Sequence, residues 1–333
     1  MNVFVAFLLA CCMTHALAAE PEIVTDMAFI KPARLVYIGA GRRMNIYCIG
    51  RGSPTVIFES GLGDQVRAWA MVQPAVGKFT RACSYDRAGL GFSYPSGREG
   101  TSENAVDDLH RLLVAAAINP PYVLVGHSLG GMYVRLYADH HGSEVSGMVL
   151  VDPMSEEQGR RDAELDPKTP AAIEDFVKTI RNECIPAAIK GFEAGTELMK
   201  KCVGEPDRHF SNAFNTAFLV SISTPDRQQA VWSEWVNVFR RSSDQVRAAK
   251  RSYGDMPLIV LTNGGPRPKG PNETQEMSDA KRQLWIELHD ELARLSSKGV
   301  DRVVPGSRHY IQFDRPDAVI EAIREIVRSI QRT

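Results

Sequence analysis

The chain has 333 residues, 44% of them hydrophobic and 24% charged, an ordinary balance for a globular protein. Lys and Arg number 39 against 40 Asp and Glu, a net charge of −1, so no basic excess points to nucleic acid or to an anionic membrane surface. The length suits one α/β domain carrying an insertion.

Met1 to Ala19 contains no Lys, Arg, Asp or Glu. Val3 to Met13 is a short apolar run, and Ala16-Leu17-Ala18 supplies a small-x-small cleavage site, the layout of a secretory signal peptide without its usual positive start. Two other readings stay open. Leu8-Leu9-Ala10-Cys11 resembles a lipobox that would leave Cys11 lipid-anchored, and the stretch barely reaches membrane-spanning length if uncleaved. Export to the periplasm or medium is favoured. Cleavage near Ala19 leaves Cys48, Cys83, Cys184 and Cys202, an even number that suits disulfides. Four buried free thiols are the alternative, and no spacing fits a zinc site.

Short runs rich in Val and Ile read as strands: Leu35–Ile38, Met44–Cys48, Val56–Glu59, Ala82–Tyr85, Tyr122–Gly126, Gly147–Val151, Leu258–Thr262 and Arg302–Val304. Several are apolar on consecutive positions, as parallel strands covered on both faces are. Helical patterns lie between them. One starts at Thr101 or Ser102 and runs to Ala117; others cover Leu129–His141, Asn272–Leu295 and a stretch from Pro316, which suits a first turn. From Asp152 to Pro257 no convincing strand occurs, but Ala171–Arg181, Ala187–Cys202 and Arg227–Lys250 read as helical. The order predicts a mostly parallel sheet with helices on both faces and a helical cap over its carboxyl edge.

Tyr122-Val-Leu-Val125 runs into Gly126-His127-Ser128-Leu129-Gly130 and then a helix. This is the Gly-x-Ser-x-Gly elbow in its strand–turn–helix setting. Glycines are needed there because the turn is strained and backbone packs close on either side. Ser128 is therefore read as a nucleophile. Serine needs a base, usually a histidine oriented by a carboxylate, in the chain order Ser, acid, His. His140 and His141 end a helix, where a cation suits the dipole; His209 falls in the cap and His289 within a helix. His309 alone follows the last strand, so it is the expected base. The acid is open between two positions. The loop after Leu258–Thr262 offers Asn263 and no carboxylate before Glu273 and Asp279; the end of Gly147–Val151 offers Asp152, which is favoured. The oxyanion of an acyl-transfer intermediate needs two backbone N–H donors. Leu129 is the expected first and Leu62, in Glu59-Ser-Gly-Leu-Gly63, the second, with Gly61 as alternative.

With Tyr85-Asp86-Arg87-Ala-Gly89-Leu-Gly91-Phe-Ser93, these motifs resemble the α/β-hydrolase superfamily, particularly small bacterial esterase-like serine hydrolases. The resemblance covers about Val36 to Val327 outside the cap. It implies an eight-stranded, mostly parallel sheet, a hydrolase core over 20–152 and 256–333 and a helical cap over 153–255 inserted after strand 6. It also implies that Asp86 is scaffold. The family's sheet order sets the second and fourth strands side by side, which would let Cys48 pair with Cys83 and leave Cys184 and Cys202 to close a hairpin in the cap.

The expectation is hydrolysis of a small-molecule carboxylic ester through an acyl-enzyme on Ser128, with no cofactor, no metal and no protein partner. Stable membrane insertion is expected only with a lipid at Cys11. Epoxide hydrolases and haloalkane dehalogenases of similar architecture use aspartate at the elbow, so Ser128 argues against them. The same triad would serve a peptidase, lactonase, thioesterase, carbon–carbon bond hydrolase or acyltransferase; a non-catalytic binding protein on the scaffold is the alternative from another class. Phe176, Phe192, Phe210, Phe214, Phe218, Trp232, Trp235 and Phe239 would line a pocket or form the cap's own core. Asn272-Glu-Thr274 fits a glycosylation acceptor.

Overall fold

Alternation of buried apolar side chains places both faces of a single sheet in the core. The structure is a computed structural model and describes residues 23–249, 252–267, 269–270 and 273–332; the expected leader with Cys11, and Asn272, lie outside them. The strands are β1 (Arg34–Gly39), β2 (Arg42–Ile49), β3 (Thr55–Glu59), β4 (Ala82–Tyr85), β5 (Tyr122–His127), β6 (Val145–Val151), β7 (Leu258–Asn263) and β8 (Gly299–Val304). They form one eight-stranded sheet in the order β1-β2-β4-β3-β5-β6-β7-β8. β2 runs antiparallel to β1 and β4, and every other pair is parallel.

In β5, Leu124 faces one core cluster, shared with helices α1 (Ser102–Ala115) and α2 (Leu129–His140). Its neighbours Val123 and Val125 face the opposite cluster, with Trp69 and the C-terminal helix Pro316–Gln331. The period of two thus covers the sheet on both sides. Thr101 caps α1 through its side chain, which accepts from Asn104 N. Cys48 and Cys83 stand directly opposite each other in the β2–β4 register and are bridged.

Between β6 and β7 the described chain is helical: α3 (Gln158–Leu165), α4 (Thr169–Thr179), α5 (Ile185–Lys190), α6 (Glu197–Val203), α7 (Asn212–Ile222), α8 (Pro225–Asn237) and α9 (Ser243–Ala248). Two expected helices are broken. The stretch 187–202 divides between α5 and α6 across Gly191 and Gly195, both at positive φ, a conformation that ends a helix. The stretch from Arg227 divides where Arg240 departs from helical angles (φ −126°, ψ −108°). α7 escaped the sequence reading. A Cys184–Cys202 bridge joins the segment after α4 to α6. The segment before β1 is tied to the insertion: Val24 N donates to His209 O, Ser211 N donates to Val24 O, and Phe29 and Ile30 share an apolar cluster with Phe210, Phe214 and Phe313. After β7 come α10 (Gln275–Ala293) and, beyond a single helical turn at Ile311–Asp314, α11 (Pro316–Gln331). No helix among the described residues is long and apolar enough to cross a membrane.

Candidate active site

The elbow joins β5 to α2. Ser128 adopts φ 53° and ψ −121°, a strained conformation for a residue with a Cβ. The glycines around it are required by contact. A Cβ on Gly126 would lie 2.6 Å from Gly130 O, and one on Gly130 would lie 2.5 Å from Glu59 O. Ser128 is thereby held at the N-terminus of α2, where the free N–H groups and helix dipole favour negative charge.

Ser128 and His309 border one cavity of about 380 Å³. No hydrogen bond of 3.5 Å or less joins them among the described residues; in unliganded enzymes such pairs often tighten only when substrate binds. His309 follows β8, and its Nδ1 lies 2.7 Å from Asp152 Oδ2. Asp152 sits at the end of β6 with φ 44° and is fully buried. Its carboxylate also accepts from Asn263 N and from Asn263 Nδ2, each at 2.9 Å, and from Trp285 Nε1 at 3.0 Å. Burial pushes the carboxyl up, but the hydrogen bond and charge of His309 outweigh it and hold the pKa near 2.

The other two acids are engaged elsewhere. Glu273 accepts from Arg267 and Gly270 N and pairs with Lys281, and Asp279 accepts from Gln275. Leu62 and Gly61 line the Ser128 cavity, and Leu129 opens α2 directly after Ser128. Asp86 binds Val66 N, Phe92 N and the Asn45 amide, tying three segments together.

Several residues of the site escaped the sequence reading. Asn263 ends β7, beside the loop where an acid was sought, and it donates to Asp152 instead. The signal was the missing carboxylate itself. Trp285 and His289 stand four apart on α10. Trp285 binds Asp152, while His289 Nε2 donates to Pro153 O at 2.9 Å; burial holds His289 near pKa 4, and so neutral. Arg282, on the same helix, donates to the Asn263 carbonyls. His127, the variable residue of the elbow, donates Nε2 to His309 O at 3.0 Å, and burial lowers its pKa to about 3. It therefore anchors the His309 backbone as a neutral ring.

The cap aromatics divide between their two expected roles. Phe176 and Trp235 line the Ser128 cavity with Ile180, Val203 and Val231, whereas Phe210 and Phe214 are core. His309 also borders a second cavity of about 370 Å³ with Asp152, Arg282 and Trp285. Among the described residues one group brings metal-ligating atoms together, His110, His141 and Glu144. It lies at the C-terminal end of α2, some 18 Å from Ser128 at 1.5 Å per helical residue.

A sheet of this order, with an elbow after β5 and helices on both faces, defines an α/β hydrolase. The chain matches the model of the alpha/beta hydrolase family over residues 56–322 and belongs to that family. It is 36% identical over 277 residues to the uncharacterized protein YqjL of Bacillus subtilis, covering 83% of this chain and 85% of that one. Against a longer relative from Hormonema carpetanum the chain spans only 39% of the length. Among solved structures it is similar to a bromoperoxidase from Bacillus anthracis (TM-score 0.61, 16% identity, 89% of this chain and 99% of that). The epoxide hydrolase CorEH is likewise similar (TM-score 0.60, 16% identity, 89% and 98%). At such identities the likeness carries the fold alone.

Proposed function

We propose that this hydrolase cleaves carboxylic esters through an acyl-enzyme on Ser128. His309 takes the Ser128 proton during attack and returns it to the leaving alkoxide. Asp152 holds the ring with its Nδ1–H toward the carboxylate, leaving Nε2 to act as base, and stabilises the imidazolium that forms. The N–H groups of Leu62 and Leu129 receive the oxyanion. The observation that carries this reading is the 2.7 Å contact between His309 and a fully buried, ionised Asp152, with Ser128 on the same cavity.

The cap, 153–255 in this reading, governs access. The apolar lining from Ile180, Val203, Val231 and Trp235 suits an acyl chain, and the leaving alcohol departs on the His309 side. Ser128 at the elbow supplies an alkoxide, which disfavours the aspartate-based epoxide chemistry expected of relatives with a carboxylate there. Export is part of the proposal; the two disulfides are compatible with an oxidising compartment.

Intact-protein mass spectrometry with a fluorophosphonate tests the assignment. One adduct is expected on the folded wild-type protein and none on Ser128→Ala, which also loses p-nitrophenyl ester hydrolysis. An adduct that persists in Ser128→Ala would remove the assignment.

A further inference from the structure

The loop carrying the proposed oxyanion donors is held by two side chains that take no part in the triad. Arg87 follows β4 and is 4% exposed. Its Nη1 donates to Ser60 O and its Nη2 to Gly61 O, both at 2.7 Å. A trans peptide is planar and sets its N–H opposite its C=O. Ser60 O shares its peptide with Gly61 N–H, and Gly61 O shares its peptide with Leu62 N–H. By binding these two carbonyls, Arg87 turns both candidate donor N–H groups away from itself, and Gly61 and Leu62 border the Ser128 cavity.

The next peptide is fixed from the insertion. Gly63 N donates to Glu234 Oε2 at 2.8 Å. Glu234 lies on α8, is 5% exposed, and accepts from Arg87 Nε at 2.7 Å and Nη2 at 3.1 Å. The remaining Arg87 bond, from Nη1 to Glu59 Oε1 at 2.7 Å, uses the residue that ends β3. The α8 face seals this arrangement. A Cβ on Gly63 would meet Val231 at 2.9 Å, and Arg227 Nη2 reaches Gly63 O at 3.4 Å. Three successive peptides of the loop are thus pinned by one buried ion pair, half of which comes from the insertion.

We propose that Arg87 and Glu234 are positioning residues that aim the Leu62 and Gly61 N–H groups, so that the cap helix α8 completes the oxyanion site. This inference rests on the ester-hydrolase reading above. Glu234 touches no substrate; it acts through Arg87 and Gly63. Loss of its carboxylate frees the Gly63 peptide and leaves Glu59 as the one carboxylate holding Arg87 against the loop carbonyls, so donors shaped for the transition state lose their aim while ground-state binding is kept.

The test uses the full chain with p-nitrophenyl butyrate and a trifluoromethyl ketone of matching acyl length, whose tetrahedral adduct places an oxyanion where the intermediate would. Glu234→Ala is expected to lower kcat by about tenfold or more with KM within about twofold. Affinity for the ketone should fall in the same proportion. Glu234→Gln, which keeps one acceptor for Gly63 N but loses the charge and sets its amide N–H against Arg87 Nε, should recover only part of both. If near-UV circular dichroism shows that the alanine variant is unfolded, Glu234→Asp replaces it. That variant keeps the charge beside Arg87 but draws back from Gly63, and the same paired losses are expected. The inference is overturned if the folded variant keeps wild-type kcat, if its loss lies in KM alone, or if kcat falls while ketone affinity holds. Fluorophosphonate labelling separates the levels. Wild type that labels at Ser128 beside unaffected Glu234 variants sinks this inference alone; wild type with no Ser128-dependent turnover removes the reading beneath it.

Discussion

Asp152 has few acceptor sites left open. His309 takes one oxygen, and Asn263 and Trp285 supply the remaining donors. Each bond to an ionised carboxylate contributes about 1.5–3 kcal/mol and keeps the carboxylate charged and oriented. Trp285→Phe removes one such bond while retaining an aromatic ring. On the proposed assignment it should lower kcat for a short p-nitrophenyl ester about tenfold, in line with one bond of this kind, with little change in KM. Full wild-type kcat would show that Asp152 is oriented without it. This layer was poorly legible in the sequence. Asn263 at the end of β7 and Trp285 on a long helix carry no spacing signature, and their convergence on Asp152 depends on how α10 packs beside the ends of β6 and β7. The elbow was legible because its glycines and its serine fall within five consecutive residues between a strand and a helix, although the contact that requires Gly130 comes from distant Glu59. Asp152 was favoured over Glu273 and Asp279 from sequence, but their partners were not legible there: only the fold shows that Glu273 pairs with Arg267 and Lys281.

The strands were the most legible elements, since parallel strands buried on both faces leave continuous Val and Ile runs. The exception is β8, which starts at Gly299 while the reading starts at Arg302. Its Gly299-Val-Asp301 opening is partly exposed and interrupts the apolar signal. The insertion was legible only as helical: its breaks at the exposed, positive-φ Gly191 and Gly195 and its kink at Arg240 fall inside runs of helical pattern, and the uncharged α7 carries no clear amphipathic stripe. At this scale the disulfides make a prediction. The Cys48–Cys83 bond closes a separation of 35 residues and Cys184–Cys202 one of 18. Loop entropy assigns roughly 4 and 3 kcal/mol to them. Replacing both Cys48 and Cys83 by Ser should lower the unfolding free energy in urea by about the larger figure. Because Cys184 and Cys202 border the Ser128 cavity, replacing that pair should also alter preference among acyl chain lengths, whereas the β2–β4 pair should not.

Across the molecule, buried histidines set part of the acid response. His289 is held near pKa 4 against an ordinary value of 6.5. Between those values the unfolded chain binds a proton that the folded chain refuses, so this group makes stability fall as pH drops below 6.5. His127, near 3, acts in the same sense. Glu59, Asp64 and Asp86, pushed up by burial, act in the opposite sense. A single-site comparison isolates one contribution. His289→Gln keeps a donor for Pro153 O and cannot titrate. Its urea midpoint should decline less steeply than that of wild type between pH 6.5 and 4.5; parallel declines would show that His289 is already charged in the folded protein.

The contact between Asp152 and Asn263 bears on how such an enzyme can change by descent. The two side chains stand at the tips of adjacent strands, one carboxylate and one amide, in mutual hydrogen-bond contact. Exchanging them conserves the local atom count, the net charge and a donor–acceptor pair, so the acid's address can migrate from one strand to the next through two substitutions at a single contact. On the proposed assignment, Asp152→Asn alone should lower kcat by about 10⁴-fold, as loss of the orienting acid does elsewhere. Asp152→Asn combined with Asn263→Asp should recover a measurable part of that loss. Lineages of this fold that place the acid on different strands would then be neighbours in sequence space, separated by a swap rather than by a rebuilding of the site.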